Sequence, residues 1–178
     1  MTYTTKYKSP IGELTIASDG KSITGLWTEG QKYFAKTLDA NSTSNDKLDA
    51  FVKTRTWLDD YFVGNNPDVE KLPLAPLGSE FRQKVWEILL AIPYGELITY
   101  GDIAKKLAKD SGKAASAQAV GGAVGHNPIS VIIPCHRVVG SGGSLTGYAG
   151  GIDKKIWLLE LEKANMDGLF VPKKGTAL

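Results

Sequence analysis

The residues from Ser79 to Gly125 read SEFRQKVWEILLAIPYGELITYGDIAKKLAKDSGKAASAQAVGGAVG, and their spacing predicts three consecutive helices. The first begins after Ser79, a typical N-cap residue, and ends before Pro93. Its apolar stripe consists of Phe81, Val85, Ile88, Leu89 and Ile92. The second helix follows Thr99, another N-cap residue, and the third is built almost entirely from small side chains. Three helices with such short connections predict a helix-turn-helix unit.

Upstream of this stretch, the sequence predicts a small antiparallel sheet packed against one helix. Residues 3–27 alternate apolar and polar side chains and are interrupted twice by turn-forming residues, as expected of a strand meander. Apolar side chains recur at helical spacing over residues 45–62. The following segment contains three residues that favour an extended connection, Pro67, Pro73 and Pro76. We therefore expect an N-terminal domain over residues 1–75 and a C-terminal domain over residues 76–178.

Downstream of the three helices, the sequence predicts a short strand, a loop and a last helix. The run Val131–Ile133 is β-branched and predicts a buried strand. Residues 140–151 are rich in glycine but match neither common phosphate motif, since Leu145 stands where the dinucleotide motif needs its last glycine. This loop is better interpreted as a lid or as a loop whose glycines let its backbone approach another group closely. Apolar spacing over residues 152–162 predicts the last helix, so the whole chain is predicted to have an α+β fold.

The composition is that of an ordinary globular protein. Of the 178 residues, 42% are hydrophobic and 22% are charged, which excludes disordered and collagen-like chains. The longest apolar run, Ile88–Ile92, is far shorter than the roughly 20 residues that span a bilayer. The start of the chain has no apolar targeting segment, so we expect a cytoplasmic protein that does not associate with membranes. The net charge of +2 is too small to indicate a nucleic-acid partner by itself.

Cys135 is the only cysteine, and its neighbours favour a chemical role. It cannot form an intramolecular disulfide or belong to a multi-cysteine metal site, and with only two histidines in the chain we predict no metal and no cofactor. A lone cysteine is more often a small buried apolar residue than a nucleophile. However, His136 and Arg137 follow directly, and a base or a cation nearby increases the reactive thiolate fraction.

The geometry needed for such a thiol leaves two pairs of alternatives open. Neighbouring side chains of a strand point to opposite faces, so either the chain turns at Pro134 or a water molecule relays the proton between Cys135 and His136. His136 also needs a third group to fix its tautomer. Glu160 and Glu162 in the last helix are both candidates, unless they are simply solvated glutamates.

Six segments, taken together, resemble a known family. They are Ile92–Glu96, Thr99–Gly101, Ala119–Ala123, Asn127–Pro128, Ile133–Gly140 and Leu145–Gly151. In order and content they resemble the methylated-DNA–protein-cysteine methyltransferases, also called O6-alkylguanine-DNA alkyltransferases. The resemblance covers residues 76–170, and Ser9–Gly12 with Leu14 resembles the start of that family's N-terminal sheet. It implies a ribonuclease H-like N-terminal domain and a C-terminal winged helix-turn-helix domain that carries the active site.

The resemblance also implies a reaction and its residues. Such a protein acts as a monomer on double-stranded DNA and flips an alkylated guanine out from the minor groove. It then transfers the alkyl group irreversibly to its own cysteine, here Cys135, and alkylated thymine is a second candidate substrate. The implied roles are base through a water for His136, orientation of that imidazole for Glu162, bracing of the active-site turn for Asn127, and guanine contact with phosphate rotation for Tyr100. The resemblance thus selects Glu162 over Glu160.

Further substrate and DNA contacts follow from the same resemblance. The implied residues are Ser116, Gln118, Ala119, Gly122, Arg137, Val138, Tyr148 and Ala149. Gln118 departs from the family pattern, in which an arginine enters the base stack at this position. Glutamine lacks the charge and the planar cation, so we expect weaker DNA affinity or base extrusion.

Two other classes of function compete with this interpretation. A cysteine hydrolase would use the same nucleophile and base but would turn over, and the sequence reveals no oxyanion site for it. A non-enzymatic regulator would use only the helix-turn-helix unit. Non-catalytic relatives of the family replace the acceptor cysteine, so Cys135 argues against that reading.

Overall fold

The computed structural model of this chain describes residues 1–173, which form two compact units. The N-terminal unit comprises Met1–Leu77 together with Pro128–Ile132. The C-terminal unit comprises Gly78–Asn127 and the chain from Ile133 onward. The N-terminal unit therefore includes a short segment that the sequence analysis assigned to the second half of the chain.

The N-terminal unit contains the predicted meander and one strand that was not predicted. Its strands are β1 (Tyr3–Ser9), β2 (Gly12–Ser18), β3 (Ile23–Thr28) and β4 (Thr43–Ser44). β1 pairs antiparallel with β2, and β2 pairs antiparallel with β3. β4 pairs in parallel with β1, so the sheet has the order β3-β2-β1-β4. β4 consists of two exposed polar residues, so it has no apolar alternation to reveal it.

A single long helix, α1 (Asp49–Phe62), completes the N-terminal unit. It begins later than the apolar spacing predicts and buries six side chains: Ala50, Phe51, Thr54, Trp57, Leu58 and Tyr61. Val52, one of the apolar residues within the predicted helical span, is half exposed. In the connection that follows, Val69–Lys71 forms a short 3₁₀ turn and Leu74 bridges to Ile23 of β3.

The C-terminal unit is mainly helical, as predicted. Its elements are α2 (Glu80–Leu90), β5 (Ile98–Thr99), α3 (Tyr100–Ser111), α4 (Ala117–Gly125), β6 (Val138–Val139) and α5 (Ile152–Leu161). Ser79 and Thr99 cap α2 and α3 as predicted, and Thr99 forms a capping box with Asp102. α2, α3 and α4 pack on one another, and Trp86 Nε1 donates to the carbonyl of Ala123 at 2.9 Å. β5 and β6 form a short parallel pair.

The strand predicted at Val131–Ile133 is wrong, because this segment is a turn. Ile132 N donates to the Ser130 carbonyl at 2.9 Å, and Val131 has a φ of 70°. All three side chains of the run are buried. Their β-branched character therefore reflects burial in the core rather than an extended backbone.

Within residues 1–173, no helix has the length and apolar character needed to cross a membrane.

Candidate active site

Cys135 lies at the start of a tight turn, which decides one alternative left open by the sequence. Cys135–Arg137 forms a 3₁₀ turn directly after Pro134, and we call it the cysteine turn. Cys135 N donates to the Ile133 carbonyl at 2.8 Å, and Val138 N donates to the Cys135 carbonyl. The thiol belongs to a residue that is only 5% exposed. The chain does turn at Pro134, so Cys135 and His136 are not held on opposite faces of a strand.

Asn127 joins the two ends of the segment that leads to the cysteine turn. Its Nδ2 donates to the Ile133 carbonyl at 2.8 Å and to Cys135 Sγ at 3.2 Å. One buried amide therefore contacts both the backbone before the turn and the sulfur itself. This is the geometry expected of a residue that braces the turn.

His136 and Glu162 form a buried pair. His136 Nε2 lies 2.7 Å from Glu162 Oε1, and both side chains are fully buried. Glu160, the other candidate, is exposed. Because Glu162 is the C-cap residue of α5, the end of that helix brings its carboxylate to the imidazole.

Glu162 has two further partners, and one differs from the sequence expectation. Arg137 was expected to contact DNA, but it is 9% exposed and its Nε and Nη2 donate to the two Glu162 oxygens at 2.8 and 2.9 Å. Its Nη1 donates to the Ile92 carbonyl at 2.6 Å. A buried guanidinium needs such partners, so these bonds direct Arg137 toward the interior.

Gly95 is the second of these partners, and it was not among the predicted site residues. Its N–H donates to Glu162 Oε2 at 3.0 Å. Gly95 has a φ of 77°, and a Cβ at this position would lie 2.8 Å from the Glu162 carbonyl oxygen. The signal was present in the Pro93–Gly95 turn, where the backbone conformation and the close approach both require glycine.

Burial and hydrogen bonding set the protonation states of this group. Burial alone would raise the pKa of Glu162, but hydrogen bonds and charges from His136 and Arg137 hold that pKa well below its usual value. Burial lowers the pKa of His136, opposed by Glu162, and burial raises the pKa of Cys135, opposed by the Asn127 hydrogen bond. The neutral-pH state is therefore a thiol, a neutral imidazole and a carboxylate. Since an ionised Glu162 can only accept, Nε2 of His136 carries the proton and Nδ1 is the basic nitrogen.

A cavity of about 670 Å³ lies in the C-terminal unit, and residues from β5, α3, α4 and the loop after β6 line it. It is lined by Thr99, Tyr100, Gly101, Ala117, Gln118, Gly121, Gly122, Ser141, Thr146 and Gly147. The Tyr100 hydroxyl donates to the Thr146 carbonyl at 3.1 Å, and burial raises the pKa of Tyr100 to about 12.

The other residues predicted on α4, Ser116 and Ala119, are exposed like Gln118 and Gly122. The Ser116 hydroxyl also caps α4, accepting from Ala119 N at 3.0 Å.

The loop after β6 supplies the remaining predicted residues. Tyr148 is buried with its ring 6.5 Å from that of His136, and no partner for its hydroxyl is found among residues 1–173. Ala149 follows it and is partly exposed. The carbonyl of Val138, one of the residues implied to contact substrate or DNA, accepts from Lys155 Nζ at 2.5 Å and keeps a second lone pair. Lys155 was missed because one more lysine in a helix gives no sign of burial.

Two further features bear on whether the protein has another site. Within residues 1–173, no three His, Cys, Asp or Glu side chains are grouped so that they could hold a metal ion. A cavity of about 680 Å³ lies against α1, and its lining contains none of the predicted site residues, whereas the lining of the C-terminal cavity contains Tyr100, Gln118 and Gly122. The predicted site residues all lie in the C-terminal unit.

Fold and site together define a class of protein in which a helix-turn-helix unit carries a buried cysteine in the same turn as the histidine of a buried histidine–glutamate pair. The family model described as "6-O-methylguanine DNA methyltransferase, DNA binding domain" matches residues 80–164, and the one described as its ribonuclease-like domain matches residues 2–76. A Haemophilus influenzae protein named methylated-DNA–protein-cysteine methyltransferase is 44% identical over 161 residues, which cover 90% of this chain and 86% of that relative. This chain belongs to the 6-O-methylguanine DNA methyltransferase family.

More distant relatives and solved structures agree with this assignment. A Methanosarcina acetivorans protein of the same name is 40% identical over 88% of this chain and 95% of its own length. The crystal structure of Mycobacterium tuberculosis OGT in complex with DNA superposes with a TM-score of 0.77 at 43% identity, covering 91% of this chain and 92% of that chain.

Proposed function

We propose that this protein repairs DNA by transferring an alkyl group from O6-alkylguanine to its own Cys135 in one irreversible step. The observation that carries the proposal is the buried cysteine turn beside the His136–Glu162 pair, in a member of this family. Once Cys135 is alkylated, nothing in this arrangement regenerates the thiol, so each molecule reacts once. Alkylated thymine is a second candidate substrate.

The proton and the alkyl group follow a balanced path. His136 Nδ1 takes the Cys135 proton through a water, and Glu162 stabilises the resulting imidazolium. The sulfur attacks the alkyl carbon, so that the S–C bond forms as the C–O6 bond breaks. The leaving guanine then accepts a proton from the Tyr100 hydroxyl, which is the proposed donor, and the His136 imidazolium returns a proton to Tyr100 through solvent. Burial raises the pKa of Tyr100 to about 12, which favours this return, so that Tyr100 ends as the neutral phenol.

Double-stranded DNA is the proposed partner, and α4 is the proposed contact. Its exposed residues include Ser116, Ala117, Ala119 and Gly122, whose small side chains suit close approach to the minor groove, together with the longer Gln118. A flipped base would enter the cavity beside Tyr100 and be covered by Tyr148 and the N–H of Ala149, while the carbonyls of Cys135 and Val138 accept from its exocyclic amine. Unstacking costs least for a damaged base, so selection begins at this step. The monomeric state and the cytoplasmic location stay predictions.

The decisive experiment is intact mass spectrometry after incubation with a duplex that contains one O6-methylguanine. We expect a stoichiometric gain of one methylene mass on the wild type and none on Cys135→Ala. A hydrolase would turn over and leave its mass unchanged, and a regulator would bind the duplex without reacting. A wild-type mass that stays constant while the duplex is bound rules out alkyl transfer.

A further inference from the structure

Residues 166–170, which follow α5, pair with the loop that forms one wall of the cavity. Phe170 N donates to the Gly143 carbonyl at 3.1 Å, and the Phe170 carbonyl accepts from Leu145 N at 2.9 Å. Both backbone groups of Phe170 are thus bound to the two neighbours of Ser144, which is the pattern of a parallel β-bridge. The pairing holds the loop by its main chain.

Apolar side chains anchor both partners of this pairing in one cluster. Leu145 of the cavity loop, as we call residues 140–151, is 3% exposed and belongs to a buried core cluster of the C-terminal unit. Met166 and Leu169 pack against the same cluster. The Phe170 side chain, by contrast, is half exposed, so its main chain rather than its ring joins it to the loop.

Two neighbouring glycines show where the segment approaches the loop most closely. Gly142 and Gly143 both have a positive φ, 71° and 92°. A Cβ at Gly142 would meet no atom within 4 Å, whereas a Cβ at Gly143 would lie 2.4 Å from the Gly168 carbonyl oxygen. Both positions favour glycine for their backbone conformation, but only Gly143 also requires it for space. The fit of residues 166–170 against the loop therefore depends on Gly143.

The loop held in this way supplies part of the wall that would face a flipped base. Ser141, Thr146 and Gly147 line the cavity and lie on both sides of the paired residues Gly143 and Leu145. The thiol, the imidazole and the carboxylate lie on other elements, the cysteine turn and the end of α5. A displacement of the cavity loop therefore changes the wall of the cavity and leaves those three groups in place.

We propose that residues 166–170 position the cavity loop for the flipped base, with Gly143 and Phe170 as the positioning residues at their contact. Ordering a loop on binding costs free energy, so a loop that is already ordered binds its ligand more tightly. This inference rests on the proposed function, and it adds a determinant of base binding that lies outside the cavity.

Two matched pairs of variants test the contact from its two sides. Phe170→Pro removes the N–H that donates to the Gly143 carbonyl. Its control is Val171→Pro, at an exposed residue whose N–H has no hydrogen-bond partner among residues 1–173. Gly143→Ala places a Cβ against Gly168, and its control, Gly142→Ala, adds the same methyl group at a positive φ in open space.

Hydrogen–deuterium exchange tests the positioning without any reaction. We expect the amides of residues 140–151 to exchange faster in Phe170→Pro than in Val171→Pro, because a lost hydrogen bond lets the loop open locally. Exchange in α2, α3 and α4 should be unchanged. Equal exchange of the loop in Phe170→Pro and Val171→Pro overturns the proposal.

Reaction rates then test whether the positioned loop serves base binding. For a duplex with one O6-methylguanine, we expect the second-order rate constant of alkyl transfer to fall about tenfold in Phe170→Pro and Gly143→Ala relative to their controls. The affinity for undamaged duplex and the rate at which iodoacetamide alkylates Cys135 should be unchanged, since α4 and the thiol are not altered. A merely structural role would lower the stability of the variants but not the rate constant of the folded protein.

Two kinetic results contradict the proposal. One is an equal rate constant in each variant and its control. The other is an iodoacetamide rate that falls as much as alkyl transfer does, because the defect then lies at the thiol. If Phe170→Pro does not fold, the comparison of Gly143→Ala with Gly142→Ala decides both assays. Absence of the mass gain in wild type refutes the proposed function instead, and the exchange comparison still decides whether residues 166–170 hold the loop.

Discussion

Glu162 is the residue on which the organisation of the site depends. Its carboxylate accepts from His136, Arg137 and the Gly95 N–H. These four residues are separated by up to 67 positions in the chain, so a single carboxylate ties together the α2–β5 connection, the cysteine turn and the end of α5. A fully buried anion is tolerated here because His136, Arg137 and Gly95 all donate hydrogen bonds to it.

Glu162→Gln should destabilise the protein in a pH-dependent way. The amide leaves Arg137 as a buried cation without its counter-charge, which costs about 3–5 kcal/mol at pH 7. The folded pKa of Glu162 is lowered, so its contribution is fully present above the pKa of the unfolded chain and is lost as pH falls through the folded value. Urea unfolding at pH 7 and at pH 3 measures both effects.

Glu160→Gln is the control for this prediction, because the side chain is exposed two residues earlier in the same helix. We expect its free energy of unfolding to stay within about 0.5 kcal/mol of wild type. If Glu162→Gln costs as much at pH 3 as at pH 7, the charge of Glu162 is not the source of the effect.

At the scale of the element, the helix α4 buries one face in the core of the C-terminal unit and exposes the opposite face. Val120, Ala123 and Val124 are buried, whereas Gln118 and Gly122 are exposed. A Cβ at Gly122 would meet no atom within 4 Å. A helical glycine costs about 1 kcal/mol relative to alanine, so packing within the protein does not explain it. Close approach of DNA does, and this supports α4 as the proposed contact.

Gln118→Arg should strengthen the binding of undamaged duplex DNA. A guanidinium at this exposed position adds one positive charge and a planar group that can enter the base stack. The slope of log affinity against log salt concentration should become steeper by about 0.9 for the added contact. Fluorescence anisotropy over a salt series measures both quantities, and Gln118→Lys separates the charge from the planar group. Equal affinities of wild type and Gln118→Arg at matched salt contradict the expectation.

At the scale of the whole molecule, the chain crosses between its two units just before the cysteine turn. Pro128–Ile132 belongs to the N-terminal unit, where Leu26 N donates to the Pro128 carbonyl at 2.8 Å and Ser130 N donates to the Leu26 carbonyl at 2.9 Å. Gln31 Oε1 accepts from Thr28 N at 2.7 Å and from Ser130 Oγ at 3.2 Å. The buried side-chain amide of Gln31 thus links Pro128–Ile132 to Thr28 of β3 through hydrogen bonds.

Gln31→Ala should lower the free energy of unfolding by about 1–3 kcal/mol, because buried donors at Thr28 and Ser130 lose their acceptor. Chemical denaturation checks this, with Glu29→Ala as an exposed control nearby. A loss no greater than that of Glu29→Ala means that Gln31 does not hold the segment.

Local sequence signals were sufficient for the elements with strong periodicity or caps. The strand meander, the capped helices α2 and α3 and the last helix follow from spacing and N-cap residues, which act over a few residues. The same local reasoning failed at Val131–Ile133, because buried turns and buried strands select the same β-branched residues. It also missed β4, whose pairing with β1 is a long-range contact between short polar segments.

The sequence by itself determined the family and, through the resemblance, the proposed acceptor, because Cys135 is the only thiol and the six motif segments can be read directly along the chain. Only the tertiary structure decided between Glu160 and Glu162 on physical grounds, turned Arg137 inward and revealed Gly95 and Lys155. The reason is that burial and hydrogen bonding between distant segments decide what a charged side chain does. Those quantities exist only once the chain has folded.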